Sequence, residues 1–436
     1  MRAYLFVLVV AAAVTYLVTP LVRRIARRIG AITPVRDRDV HSVPVPRLGG
    51  VGMLCGFAVA MAMAWNMPFL QPVFSAEGGG APWGVLLGAT AVCALGAADD
   101  LWQLDAVTKF AGQAIAAGVM AWKGVQFVSL PINGLTLVSP GFLVIVTVFA
   151  VILTINAVNF VDGLDGLAAG IVAIAGSAFF VYSYRIAQTA SPTDYSSLAT
   201  LITAALVGCC LGFLPHNFNP ARIFMGDSGS MLIGLLLAAP TIAITGQVDP
   251  AVISGQKIAP AFLPLALPLA VLALPLMDLL LAVIRRTRAG QAPWHPDKSH
   301  LHHRMLQLGH SHAHAVLILY MWTAILSFGV AMTAFDLRGA LVVGAASTLV
   351  AAVLTFVPLR GRRARRARAR AAAAAAPAPA SPPGDAGPDV GRVAGPDGTA
   401  PRVEGPPAAR APSSGVGAGA PAGGPRPSPQ VPDFRL

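Results

Sequence analysis

The sequence predicts an all-α polytopic integral membrane protein, with about eleven transmembrane helices, the N-terminus outside and the C-terminus in the cytoplasm. Three observations support this prediction. Only 11% of the 436 residues are charged, and the mean hydropathy is +0.67, which together exclude an ordinary soluble protein. Apolar runs of membrane-spanning length recur from the first residues to about residue 357. Basic residues are also distributed unequally between alternate loops.

The predicted spans follow one another along the chain with short loops between them. Their centres lie near residues 12, 57, 90, 115, 150, 175, 206, 237, 272, 323 and 348. The runs near residues 90 and 115 are short or interrupted by glycine, so the predicted count is ten or eleven. If the arginines after the first run are cytoplasmic, the cytoplasmic loops before residue 360 hold 14 basic residues and the outer loops hold five. This excess sets the predicted orientation.

The composition changes abruptly at Arg360. Residues 360–436 hold twelve of the 31 basic residues and are otherwise rich in alanine, proline, glycine and serine, which cannot form a packed core. We therefore predict a transmembrane domain over residues 1–359 and a disordered basic cytoplasmic tail over residues 360–436. The net charge of +12 then reflects topology and a tail that rests on anionic lipid, and we predict no nucleic-acid partner.

Polar clusters lie at the predicted cytoplasmic ends of the spans, where charge is costly unless something compensates it. The first cluster contains adjacent carboxylates, Asp99 and Asp100, which repel each other unless a metal, a proton or another cation is present. Lys109 follows one short loop later and is suited to hold a phosphate as a point charge. Taken alone, an Asp-Asp pair at a helix end is a weak signal.

The second cluster separates two apolar runs and contains Asn159, Asp162 and Asp165. Their three-residue spacing would bring them to roughly one face of a helical segment. The alternative is an ordinary polar turn between two helices. The spacing therefore predicts a site only in combination with the other clusters.

The third cluster runs from Asn217 through Phe224 to Asp227, immediately before the next apolar run. Glycines on both sides of Asp227 would allow a backbone and a ligand to approach closely. The alternative is a helix cap, because aspartate and serine are common just before a helix. The sequence alone does not decide between the two.

The fourth cluster contains His300, His302, His303 and Arg304. Clustered histidines can ligate a transition metal, but this combination of imidazole, lysine and arginine suits polyanionic phosphate better. The carboxylates and amides of the other clusters suit a hard, oxygen-preferring cation, so we predict Mg²⁺ as cofactor, with Mn²⁺ as an alternative. The chemistry indicated is phosphoryl-type transfer at the membrane surface.

The ordered set of motifs resembles the polyprenyl-phosphate N-acetylhexosamine-1-phosphate transferases over roughly residues 1–357. Each motif is modest alone, whereas their order is highly specific. The motifs are Pro46-Arg-Leu-Gly-Gly50, Asp99-Asp100 with Lys109-Phe-x-x-Gln113, Asn156-Ala-Val-Asn159-Phe-Val-Asp162-Gly-Leu-Asp165-Gly, Phe224-Met-Gly-Asp227-Ser-Gly-Ser, and Asp297-Lys-Ser-His300-Leu-His302-His303-Arg304. The last one resembles the bacterial UDP-GlcNAc:undecaprenyl-phosphate GlcNAc-1-phosphate transferases, whereas the UDP-MurNAc-pentapeptide branch typically shows a triple-His motif.

The resemblance implies an enzyme that transfers GlcNAc-1-phosphate from UDP-GlcNAc to a polyprenyl (undecaprenyl or decaprenyl) phosphate. UMP would leave, and polyprenyl-diphospho-GlcNAc would begin a cell-envelope glycopolymer. The implied partners are UDP-GlcNAc, the polyprenyl phosphate and the lipid bilayer, with a homodimer as a candidate assembly. The implied location is the cell membrane, as a multi-pass protein with its active site on the cytoplasmic face.

The same resemblance implies a role for each polar cluster. Asp99 and Asp100 are the implied catalytic pair, with Asp99 similar to the residue proposed to deprotonate the lipid phosphate. Asp227 and Asn159 are the implied Mg²⁺ ligands. The implied substrate-binding residues are Lys109, His300, His302, His303 and Arg304 at the diphosphate, Asp165, Asn217 and Phe224 at the uridine, and Asp162.

Three alternatives stay open on the sequence. The serious rival is a phospho-MurNAc-pentapeptide transferase of peptidoglycan synthesis, against which the histidine motif argues. A non-enzymatic transporter predicts charged residues at mid-span depth, whereas these carboxylates lie at span ends on one side. An intramembrane aspartyl protease would need two facing aspartates within the bilayer, and it would leave the paired asparagines and the His/Arg motif unexplained.

Overall fold

The computed structural model of the protein describes residues 1–33, 44–75, 80–128, 139–190, 196–245, 312–333 and 335–356, with isolated positions between these ranges. These residues all belong to one compact unit, Met1–Ala375. The second unit, Ala376–Leu436, lies outside the described residues. The predicted tail and its boundary at residue 360 therefore stay predictions.

Helices account for nearly all of the described chain. They are α1 (Arg2–Arg28), α2 (Gly49–Trp65), α3 (Gln71–Ser75), α4 (Ala81–Trp102), α5 (Ala106–Trp122), α6 (Pro140–Val161), α7 (Leu167–Ala190), α8 (Leu198–Asn217), α9 (Gly226–Thr245), α10 (His312–Thr333) and α11 (Leu337–Phe356). Two antiparallel ribbons complete the described elements: β1 (Ile32–Thr33) pairs with β2 (Val45–Pro46), and β3 (Leu130–Pro131) pairs with β4 (Leu135–Thr136).

The predicted membrane architecture is confirmed in its coarse form. Seven of the described helices are long and apolar enough to cross a membrane, namely α1, α4, α6, α7, α8, α9 and α10. Gly49–Trp65 and Leu337–Val353 are shorter apolar helices. Ten of the eleven predicted span centres lie inside described helices, and the eleventh, near residue 272, lies outside the described residues. The protein is thus a polytopic membrane protein, whereas the count of eleven stays a prediction.

Helix α9 is the central helix of the described bundle. It packs against α2, α4, α6, α7 and α8, and most of its residues are buried. The outer faces of other helices carry large exposed apolar side chains, such as Leu17 of α1 and Ile145 of α6, as expected where lipid replaces water as the solvent. Because lipid tails are as apolar as leucine, close packing and hydrogen bonds hold such a bundle together.

Four helix ends converge at one end of this bundle. The C-terminal turns of α4 and α6 meet the N-terminal turns of α5 and α9, and hydrogen bonds between side chains connect all four. This convergence brings together polar residues that lie far apart along the chain.

Candidate active site

Three charged side chains from three helices meet where these ends converge. The Lys109 Nζ atom of α5 lies 2.8 Å from Asp99 Oδ2 of α4 and 3.3 Å from Asp227 Oδ2 of α9. One ammonium therefore bridges two carboxylates, and each ion pair is partly exposed. The compensation that the sequence required for Asp99 is supplied, in part, by Lys109.

A short turn between α4 and α5 returns Lys109 to Asp99. Gln103 ends α4 in the left-handed conformation, with φ 53°, and the Leu104 N–H donates to Asp99 Oδ1 at 2.7 Å. Asp105 then begins α5, because its carboxylate accepts the backbone N–H groups two and three residues later at 3.0 and 3.1 Å. The first turn of α5 is thus anchored with Lys109 facing α4.

Asn159, in the last turn of α6, approaches Asp227 from the other side. Its Nδ2 donates to Asp227 Oδ1 at 3.1 Å and to Ser230 Oγ at 2.8 Å. The two residues predicted to share a cation are therefore direct neighbours. The sequence analysis gave Ser230 no role, although it ends the Phe224–Ser230 motif one helical turn after Asp227.

Asp100 does not face this group, although it is adjacent to Asp99 in the chain. Its Oδ1 and Oδ2 accept the backbone N–H groups of Asp227 and Ser228 at 3.0 and 3.2 Å. Arg47 Nη1 lies 3.9 Å from Oδ1, and the Asp100 side chain has no exposed surface. Its predicted catalytic role stays a prediction, and its position is that of a cap on α9.

Asn217 and Asp165 are buried, and both bind the loop that precedes α9. Asn217 Oδ1 accepts the Gly166 N–H at 3.0 Å, while its Nδ2 donates to the Ile223 carbonyl at 3.0 Å. Asp165 Oδ2 accepts two hydrogen bonds from residues 219–221, each at 3.0 Å. These residues, predicted to bind uridine, hold the loops on which that site would be built.

The backbone of Phe224 is held by the segment Pro46–Gly50, for which the sequence indicated no specific role. The Phe224 N–H donates to the Pro46 carbonyl at 2.8 Å, and its carbonyl accepts the Gly49 N–H at 3.1 Å. The Met225 carbonyl accepts the Gly50 N–H at 3.2 Å. The segment fixes the approach to α9, while the Phe224 side chain is half-buried.

Asp162 follows the last turn of α6, outside the membrane-spanning segments. Desolvation, followed by the charges of Asp227, Asp100 and Asp165, raises the pKa of Asp162 to about 7. Burial is the larger cause of the raised pKa, and the neighbouring carboxylates add to it because they disfavour another negative charge. This part of the site therefore has an excess of negative charge that a bound cation would relieve.

Tyr320 of α10 is a second residue that the sequence analysis missed. Its hydroxyl donates a short hydrogen bond to the Gly166 carbonyl, and its ring occupies the space where a Cβ on Gly170 would lie. The contact ties α10 to the loop that carries Asp162 and Asp165. The sequence shows only a single tyrosine within an apolar run, and that pattern does not predict such a contact.

The side chains at this site fit a hard divalent cation. Asp227 supplies carboxylate oxygens and Ser230 adds a hydroxyl, and the Lys109 ammonium already lies between Asp227 and Asp99, so a positive charge is favoured at this position. Asn159 presents its amide nitrogen to Asp227, and a half-turn about its Cβ–Cγ bond would present its oxygen instead. Within the described ranges no group of three or more His, Cys, Asp and Glu side chains could hold a metal. Two carboxylates, completed by water and phosphate, are a common Mg²⁺ ligand set.

The fourth predicted cluster, comprising His300, His302, His303 and Arg304, lies outside the described residues. The described chain resumes at His312, the first residue of α10. The predicted contacts of this cluster with the diphosphate therefore stay predictions.

Comparison with known proteins gives a family model and relatives that agree with one another. Residues 82–246 match the family model for glycosyl transferase family 4. The chain is 44% identical to the decaprenyl-phosphate N-acetylglucosaminephosphotransferase of Mycolicibacterium smegmatis, over 81% of this chain and 87% of that protein. It is 32% identical to a probable undecaprenyl-phosphate N-acetylglucosaminyl 1-phosphate transferase of Bacillus subtilis, over 70% of this chain and 78% of that protein.

A third relative represents the rival branch. The chain is 33% identical to the phospho-N-acetylmuramoyl-pentapeptide-transferase of Desulforudis audaxviator, over 56% of this chain and 79% of that protein. The segment matched by the family model contains Asp99, Lys109, Asn159 and Asp227, the four residues in direct contact at the site. The chain therefore belongs to glycosyl transferase family 4 and, within it, to the polyprenyl-phosphate N-acetylhexosamine-1-phosphate transferases that its motifs resemble.

Proposed function

We propose that this protein transfers GlcNAc-1-phosphate from UDP-GlcNAc to a polyprenyl phosphate, releasing UMP and forming polyprenyl-diphospho-GlcNAc. One observation carries the proposal. The contact cluster of Asp99, Lys109, Asn159 and Asp227 lies inside a chain that aligns with 87% of a decaprenyl-phosphate N-acetylglucosaminephosphotransferase. The pentapeptide relative supports the rival donor less, because its identity is lower and it covers 56% of this chain instead of 81%.

The proposed reaction is an attack of a lipid-phosphate oxygen on the β-phosphorus of UDP-GlcNAc. A new P–O bond forms between the two, and the bond from the β-phosphorus to the bridging oxygen of the diphosphate breaks, so that UMP leaves. Asp99 would take a proton from the lipid phosphate if one is present, since a phosphate at neutral pH is already mostly ionised. Lys109 can turn from the carboxylates to the diphosphate, because its long side chain is partly exposed.

The proposed cofactor is Mg²⁺, with Mn²⁺ able to replace it, held by Asp227 and Asn159. When bound, it would neutralise charge that develops on the diphosphate. The direct contact of Asp227 with Asn159 and Lys109 supports this assignment. Without a divalent cation, Lys109 would hold the carboxylates of Asp99 and Asp227 together in its place.

The proposed nucleotide site lies along the loop before α9. The half-buried Phe224 ring would stack on uracil, while Asp165 and Asn217 would bind uridine or hold the loop that does. Asp162 would lie beside the diphosphate. The group His300, His302, His303 and Arg304 would provide further positive charge for the same diphosphate.

The proposed orientation places this end of the bundle in the cytoplasm, with eleven spans in total and the active site on the cytoplasmic face. Basic residues support it: Arg47 and Lys109 lie in the site, and Arg222 lies in the loop before α9. Such residues are retained on the cytoplasmic side of membrane proteins. A homodimer is proposed as the assembly, to be tested by the mass of the detergent-purified protein.

The experiment is UMP release by purified protein with a short polyprenyl phosphate and Mg²⁺. UDP-GlcNAc, UDP-GalNAc and UDP-MurNAc-pentapeptide are offered in parallel, each with and without a chelator. Release with UDP-GlcNAc alone, lost with the chelator, is the expected result. Release only with the pentapeptide donor would move the protein to the rival branch, and no release with any donor from folded protein would refute the proposed function.

A further inference from the structure

The N-terminus of α9 is capped from another helix. The first amides of a helix lack partners within it, and a polar side chain at the preceding residue usually accepts their hydrogen bonds. At α9 the residues in that place are Met225 and Gly226, which have no polar side chain. Asp100 of α4 supplies the cap instead, accepting the N–H groups of Asp227 and Ser228 at 3.0 and 3.2 Å.

The surroundings of Asp100 commit its carboxylate to this contact. Both oxygens accept backbone hydrogen bonds, and the side chain has no exposed surface. The Arg47 guanidinium, 3.9 Å from Oδ1, balances the buried negative charge. The N-terminal end of the α9 dipole favours the same charge. Asp100 could reach a substrate only by leaving α9 uncapped.

The backbone of α9 lies directly against α4 at this point. Gly226 has φ +70°, and a Cβ there would collide with the Asp100 carboxylate. A Cβ on Gly96 of α4 would collide with the backbone of Asp227. No side chain separates the two backbones at this contact. The position of Asp100 therefore determines the position of the first turn of α9, from which the Asp227 side chain projects.

We propose that Asp100 is a positioning residue that places Asp227 by capping α9, whereas Asp99 is the member of the pair that faces the substrate. Consecutive residues on a helix point about 100° apart, so the two carboxylates serve different neighbours. The inference rests on the proposed function for its turnover measurements. Its central measurement needs neither substrate nor cation.

The central measurement is hydrogen–deuterium exchange of the detergent-purified full chain, comparing D100N with the wild type. The substitution keeps the size of the side chain but turns an N–H group toward one of the two backbone amides. The expected result is exchange about tenfold faster in peptides covering residues 224–232. Wild-type exchange in those peptides, from folded D100N protein, would overturn the proposal.

The matched control is D336N. Asp336 accepts the Arg338 N–H at 3.1 Å at the start of α11, so D336N makes the same chemical change at another helix cap. Asp336 lies away from the site. The neighbouring Phe335 contacts Arg185 near the C-terminal end of α7, whereas the site adjoins the N-terminal end of α7. D336N is expected to leave exchange at residues 224–232 unchanged.

Turnover separates positioning from acid–base catalysis. D100N is expected to raise the Mg²⁺ concentration for half-maximal UMP release about tenfold and to leave the pH dependence of kcat unchanged. If the pH profile of kcat loses one limb in D100N, the proposal is overturned, because Asp100 would then gain or lose a proton during the reaction. If the wild type releases no UMP, the proposed function fails, whereas the exchange comparison still decides the place of Asp100.

A second variant keeps the test decisive if D100N does not fold. R47Q removes the positive charge beside Asp100 and leaves both backbone hydrogen bonds possible. The expected result is a smaller acceleration of exchange in the same peptides, about two- to threefold. Wild-type exchange at residues 224–232 in R47Q would then overturn the proposal.

Discussion

The bridge formed by Lys109 leads to a prediction about stability without a cation. In Lys109→Met the ammonium is lost, and Asp99 and Asp227 face each other uncompensated. An exposed ion pair contributes about 0–1 kcal/mol, whereas removing one partner of a buried pair costs about 3–5 kcal/mol. The Lys109 side chain is 30% exposed and contacts carboxylates at 2.8 and 3.3 Å. We therefore expect an intermediate loss of about 2 kcal/mol.

The assay is thermal unfolding of detergent-purified protein in a chelator and in Mg²⁺. A loss of about 2 kcal/mol corresponds to roughly 3 °C in Tm, at about 2.1 cal/mol/K of unfolding entropy per residue over residues 1–359. Mg²⁺ should reverse most of the decrease in Tm of Lys109→Met, because the cation then compensates the charges of Asp99 and Asp227. UMP release should stay low, since the contact with the diphosphate is missing.

The matched control lies at the other end of the same helix. The Lys123 Nζ atom lies 5.2 Å from the centre of the Trp122 ring. Among the described residues, the ion pairs of the site involve Lys109 and not Lys123. Lys123→Met is expected to change Tm by less than Lys109→Met and to show no Mg²⁺-dependent recovery. An unchanged Tm for Lys109→Met in the chelator, or a loss that Mg²⁺ does not reverse, would refute the compensation argument.

Three further predictions follow from the site. Asp227→Ala should abolish Mg²⁺-dependent UMP release in folded protein, and normal release would remove Asp227 from the metal site. Asp162 has a folded pKa of about 7 against an unfolded value of about 4, so it opposes folding increasingly from about pH 4 and fully above about pH 7. Asp162→Asn should therefore stabilise the protein in a chelator by at most about 4 kcal/mol at pH 8 and by at most about 1.4 kcal/mol at pH 5; equal changes in Tm at both pH values would contradict the shift. Truncation after residue 359 should leave UMP release largely intact. Loss of UMP release in the truncated protein would show that the tail is needed for activity.

Much of the architecture could be predicted because hydropathy is a local property. A helix in lipid must satisfy its own backbone hydrogen bonds, so an apolar run of sufficient length indicates a span whatever its neighbours are. The predicted centres near residues 12 and 150 illustrate this, since α1 and α6 form there with 27 and 22 residues. Residue chemistry is local as well: it singled out the polar clusters that contain Asp99, Lys109, Asn159 and Asp227, which the structure brings into contact, whereas their roles came from the family resemblance and stay predictions.

The sequence by itself determined which residue types the site contains, and the tertiary structure decided which neighbours each one serves. Asp99 and Asp100 are indistinguishable in a motif, yet one binds Lys109 and the other caps α9, 127 residues away. The contact of Tyr320 with the Gly166 carbonyl joins residues 154 positions apart. Such assignments depend on how each helix is rotated about its axis and how closely its backbone approaches the next helix. Packing of the whole bundle sets both quantities, and no single segment contains them.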